Sequence, residues 1–85
     1  MARTTANEFV NEPTERECRL LLARLSDRQR DVLRLTMTGV GRKQIADELN
    51  LTESTVKVYR ERIFSRLGVT CSAHAAFIAG RGNLI

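Results

Sequence analysis

Between Lys43 and Val69 the chain reads KQIADELNLTESTVKVYRERIFSRLGV, and few folds satisfy that stretch. Ile45, Ala46 and Leu49 share one face of a short predicted helix, 42–49. Asn50-Leu51-Thr52 then supplies a helix stop, an apolar plug and a helix start in three residues. Asparagine accepts the left-handed backbone that ends a helix. A threonine hydroxyl caps the next one, and Glu53 sits well against its positive dipole end. The following helix, 53–67, repeats Val56, Tyr59 or Arg60, Ile63 and Leu67 at helical spacing, and Gly68 ends it. Two helices joined by so short a turn, the second rich in cations, form the layout of a helix-turn-helix. In that motif the second helix lies in a DNA major groove.

The rest of the chain is punctuated as helices too. Thr14 with Glu17, and Ser26 with Gln29, have capping-box spacing. The first box opens a helix over 14–24 in which Cys18, Leu21, Leu22 and Leu25 recur at i, i+3, i+4 and i+7. That stripe covers either the core of its own domain or a second subunit. The second box opens a helix over 27–38 with Val32, Leu33, Leu35 and Met37 as apolar positions, closed by Gly39. Gly41 takes the N-cap of 42–49. Thr70 or Ser72 caps an alanine-rich last helix, 72–81, carrying Phe77 and Ile78, with Gly80 and Gly82 as its terminators. Residues 1–11 are polar apart from Phe9 and Val10 and read as disordered or loosely docked. No strand alternation occurs. The expectation is an all-α chain: an N-terminal extension over 1–25 with a short amphipathic helix, then a compact four-helix domain over 26–85.

With 85 residues there is room for one small domain. Its core is marginal, so a partner subunit would help. Residues 1–25 carry four arginines against four glutamates. Residues 26–85 carry ten Lys+Arg against six Asp+Glu, so the whole excess of +4 sits with the helix-turn-helix, as suits an anionic polymer. Cys18, Cys71 and His74 are too few and too far apart for a metal site, and two reduced thiols are expected. No cofactor is implied. No carboxylate pair or nucleophile–base set stands out, and Gly39-Val40-Gly41 is too short for a phosphate-binding loop, so an enzyme is not expected. With no signal peptide and no stretch of transmembrane length, the expectation is a soluble cytoplasmic protein with no membrane or small-molecule partner.

On the second helix of the motif, Ser54, Lys57, Val58 and Glu61 share the face opposite Val56, Ile63 and Leu67. A valine between a lysine and a glutamate suits base edges. Val58 would meet a thymine methyl, Lys57 a guanine acceptor and Glu61 a cytosine amine. The alternative is a solvated face on which Lys57 and Glu61 merely form an i,i+4 ion pair. Arg42, Lys43, Thr52, Ser54, Thr55, Tyr59, Arg60, Arg62 and Arg66 surround that face as candidate phosphate contacts. For any one arginine the alternative is surface solvation or a bridge to Asp47 or Glu48.

The segments LSDRQRDVLRLTMTG (25–39), KQIADELNLTESTVKVY (43–59) and RLGV (66–69) resemble the DNA-binding domain of LuxR-type (NarL- or GerE-type) bacterial transcription regulators. The resemblance implies a four-helix unit with helix 53–67 in the major groove and Lys57, Val58 and Glu61 at base-reading positions. It places Lys43 and Thr55 on phosphates. It makes the last helix the dimer contact, through Ala73, Ala76, Phe77 and Ile78. Tyr59 stands where such domains commonly have histidine, Glu61 where they often have a basic or polar residue, and Ser72 where they often have arginine. The chain resembles members that lack a receiver or ligand-binding domain. Double-stranded DNA and a second copy of the chain are the implied partners, with RNA polymerase or another regulator as further ones. Two other readings remain at this point: region 4 of a sigma factor, and a helix-turn-helix that binds proteins rather than DNA.

Overall fold

The computed structural model describes residues 13–84, so the expectation for residues 1–11 lies outside it. The described residues form five helices and no strand: α1 Glu15–Leu22, α2 Asp27–Met37, α3 Arg42–Leu49, α4 Glu53–Leu67 and α5 Ser72–Arg81.

Local chemistry sets the helix ends. Thr14 Oγ1 accepts from the Glu17 N–H at 3.1 Å while Glu17 Oε1 accepts from the Thr14 N–H at 2.8 Å. Ser26 and Gln29 repeat the exchange at 3.1 and 2.9 Å. These reciprocal caps satisfy two otherwise orphaned donors at each helix start. Asn50 ends α3 at φ 57° and Gly68 ends α4 at φ 73°, both in the left-handed region. The last helix departs from expectation. Its N-cap is Cys71, with no side-chain cap bond, rather than Thr70 or Ser72. Gly80 lies inside the helix, and only Gly82 ends it.

The core gathers Cys18 and Leu22 from α1, Leu25 from the connector, Val32 and Leu33 from α2, and Ile45 and Ala46 from α3. Val56, Ile63 and Leu67 of α4 and Ala75, Ile78 and Ala79 of α5 complete it. α1 packs chiefly on α5, and α4 sits against both α2 and α3. The apolar stripe of α1 is thus used within the chain, except that Leu21 is only half-buried. A Cβ on Gly82 would come within 2.5 Å of Leu22 Cδ1 and 3.2 Å of the Cys18 carbonyl carbon. Gly82 therefore lets the end of α5 meet α1. Both cysteines are free thiols. Burial pushes the Cys18 thiol up, with the Arg81 charge partly opposing, so it packs as a neutral apolar group.

Arg30 ties α1 to α2. Its guanidinium donates to the carbonyls of Leu22 and Leu25 at 3.2 and 2.8 Å and pairs with Asp27. The Leu22 carbonyl also accepts from the Leu25 N–H at 3.1 Å, so the Leu25 carbonyl is the one that depends most on Arg30. Hydrogen bonds from a charged group are worth about 1.5–3 kcal/mol each, so Arg30→Leu should cost about 2–4 kcal/mol of unfolding free energy, allowing for its partial exposure. Urea denaturation measures this, and a loss below ~0.5 kcal/mol would contradict the role.

Candidate nucleic-acid interface

α4 presents two faces of opposite character. Val56, Ile63 and Leu67 are buried, and Ser54, Lys57, Val58 and Glu61 are exposed. Val58 keeps 42% of its surface open and is, with Leu20 and Phe77, one of three exposed large apolar side chains among the described residues. A singly exposed apolar side chain is ordinary on a protein surface; what marks Val58 is its place beside the exposed Lys57 and Glu61 on one helix face.

The charges around it are free. Among the described residues the ion pairs are Arg19–Glu15, Arg30–Asp27 and Arg34–Asp31, all within α1 or α2. Lys57 and Glu61 do not pair, nor do Arg42, Lys43, Arg60, Arg62 or Arg66 find a carboxylate among the described residues. The i,i+4 bridge expected as the alternative for Lys57 and Glu61 is not formed, and neither are bridges to Asp47 or Glu48.

α3 begins with Arg42 and Lys43, has no acid in its first turn, and takes no side-chain cap bond at Gly41. Cations at a helix N-terminus oppose its dipole by roughly 0.3–1 kcal/mol each at low ionic strength. That placement weakens the isolated fold and favours an approaching anion. Arg42 borders an open groove of about 250 Å³ together with Lys57, Arg60, Glu61 and Phe64. The first turn of α3 and the middle of α4 thus line one concavity. Arg60 Nε is buried there without a hydrogen-bond partner. Phe64 was not singled out in the sequence, where its place in the apolar run of α4 hid its groove position.

Thr52 and Thr55 have coupled roles. Thr52 Oγ1 caps α4 by accepting from the Thr55 N–H at 3.1 Å and donates to Thr55 Oγ1 at 2.9 Å. Its hydroxyl is therefore engaged within the chain, while Thr55 keeps a proton to donate outward. Tyr59 is half-buried against the core, which holds its ring beside α4. Arg62 is exposed, and Arg66 donates to the Arg24 carbonyl at 3.1 Å, fixing the end of α4 to the corner after α1.

Part of the basic excess is thus structural. Arg30, Arg34 and Arg66 donate to backbone carbonyls at helix ends. The sequence offered only Asp27–Arg30 and Asp31–Arg34 at i,i+3 as a hint of this. On α5, Ala73 and Phe77 are exposed and Ala76 is half-buried. Ile78, expected at the dimer contact, is 4% exposed and belongs to the chain's own core. Helical phase explains this, because Ile78 follows Ala75 at i+3 on the face turned to α1. No helix among the described residues is long and apolar enough to cross a membrane.

Residues 23–79 match the GerE family, described as bacterial regulatory proteins of the luxR family. The chain is 32% identical over 81 residues to the virulence factors putative positive transcription regulator BvgA of Bordetella pertussis, a match covering 95% of this chain and 39% of that protein. It is 41% identical over 58 residues to the DNA-binding transcriptional activator DevR/DosR of Mycobacterium tuberculosis, covering 68% of this chain and 27% of that protein. Identity to the nitrate/nitrite response regulator protein NarL of Escherichia coli is 38% over 52 residues, 61% of this chain and 24% of that protein. The chain therefore spans well under half the length of these relatives. No solved structure gives a significant match.

Proposed function

Since the chain belongs to the luxR family of bacterial regulatory proteins, whose named relatives are regulators and not enzymes, we propose that it is a sequence-specific DNA-binding transcription regulator that places α4 in the major groove. The observation that carries this reading is the distribution of partners. Among the described residues the ion pairs lie within α1 and α2, whereas Arg42, Lys43, Lys57 and Arg62 of α3 and α4 are exposed with no carboxylate partner. Lys57, Val58 and Glu61 read base edges, with guanine, thymine methyl and cytosine amine as their complements. Arg42, Lys43 and Arg60 hold phosphate from the groove side. Thr55, Ser54 and Arg62 hold it around the start and outer flank of α4, and Thr52 acts indirectly by fixing Thr55.

The regulator works as a homodimer, with Ala73 and Phe77 of α5 as the exposed part of one contact. A second copy provides the two readers that a paired half-site requires. RNA polymerase or another regulator is a further partner for surfaces away from α4.

Charge release gives the test. Each phosphate contact adds about 0.9 to the slope of log K against log salt. Lys43→Ala and Arg42→Ala should each lower that slope by about one and weaken all duplexes alike. Fluorescence anisotropy across a salt series measures it, and unchanged slopes in both variants would contradict phosphate contact at the start of α3.

A further inference from the structure

α1 keeps an outer face that the core covers only in part, through the half-buried Leu21. Glu17, Leu20, Leu21 and Arg24 line an open groove of about 430 Å³ with Pro13 at its end. Leu20 is 59% exposed, the most open of the large apolar side chains among the described residues. Among the described residues the Arg24 side chain has no carboxylate partner, and Glu17 commits one oxygen to the Thr14 cap and leaves the other free.

The order of these residues is antisymmetric. About a midpoint between Leu20 and Leu21, Glu17 on α1 mirrors Arg24, which stands in the turn just after α1 ends at Leu22. A two-fold axis through that midpoint lays a second α1 antiparallel on the first. Each leucine then meets the other leucine of its mate, and each Glu17 meets an Arg24. An isologous interface must be self-complementary in this way. A parallel arrangement would instead oppose like charges.

We propose that this face of α1 binds the same face of a second copy of the chain. The proposal rests on the reading of the protein as a homodimeric regulator and adds a contact distinct from α5. α1 has eight residues and is about 12 Å long, so its face buries far less than the ~800 Å² per partner of a stable complex. The contact is therefore weak in free solution. It matters when DNA holds two copies side by side and raises their effective concentration.

Two single variants and their mixture test this. Glu17→Arg sets arginine against arginine at both charged contacts of a pair, and Arg24→Glu sets glutamate against glutamate at both. Each should weaken self-association on a duplex long enough for two copies by about ten-fold, read as lost cooperativity in a low-salt anisotropy titration. Mixing the two variants opposes unlike charges again and should restore wild-type affinity. Leu20→Glu should weaken self-association to a similar extent, and mixing with either charge variant should not rescue it. Circular dichroism on each variant confirms folding, and loss of the Glu17 cap bond cannot explain rescue because the mixture lacks it in half its chains. Failure of the mixture to associate, or association unchanged by Leu20→Glu but lost in Phe77→Glu, would overturn the α1 contact and leave the homodimer standing. Wild-type chains that stay monomeric at every concentration, alone and on DNA, would overturn the homodimer itself.

Discussion

Ile63→Ala should destabilise the domain by about 2–5 kcal/mol, the range for removing a buried branched side chain, while Val58→Ala, five residues earlier on the same helix, should stay within ~0.5 kcal/mol of the parent. Ile63 is 1% exposed and lies where α4 meets the core, whereas Val58 is 42% exposed. A cavity at Ile63 leaves facing atoms of the core without contacts and cannot close without moving α4. A domain of this size holds roughly 4–13 kcal/mol in total, so Ile63→Ala removes much of it and lowers DNA affinity through the folded fraction alone. Under the proposed reading, Val58→Ala should instead weaken DNA binding, by taking the apolar partner from a thymine methyl. Urea denaturation of the two variants reads the contrast. Equal losses would show that α4 does not present the faces described.

Lys57→Ala should cost about 1–3 kcal/mol on the preferred duplex, some five- to 150-fold in affinity, and far less on random DNA. Lys57 is exposed and has no carboxylate within 4.0 Å among the described residues. Its removal strands no partner in the fold, so thermal unfolding should be unchanged and the whole effect should appear in binding. The ratio of specific to non-specific affinity, taken at one salt concentration, separates base reading from charge. An unchanged ratio would make Lys57 a phosphate contact.

Much of the fold is legible because its punctuation is local. Thr14–Glu17, Ser26–Gln29, Asn50 and Gly68 each act on backbone within a few residues, and each marks the helix end it was expected to mark. The family match over residues 23–79 also favours the LuxR-type reading over a sigma-factor region. What escaped depends on distant packing. Gly82 reads as a terminator, yet its lack of a Cβ matters because α1 lies against it. Ile78 reads as an interface residue, and only the docking of α5 on α1 turns it inward. The arginines all read alike in the sequence. Their separation into carbonyl donors such as Arg30 and Arg66 and outward cations such as Arg42 follows from where other helix ends fall. Helical phase alone separated Lys57, Val58 and Glu61 from the core face, since it needs only one helix.

Base reading by α4 is decided by selection of bound duplexes from a random DNA pool. It requires one enriched motif with a guanine whose enrichment disappears in Lys57→Ala while the rest of the motif persists. A pool that emerges unenriched from the wild-type protein, or a motif identical in Lys57→Ala, would contradict it.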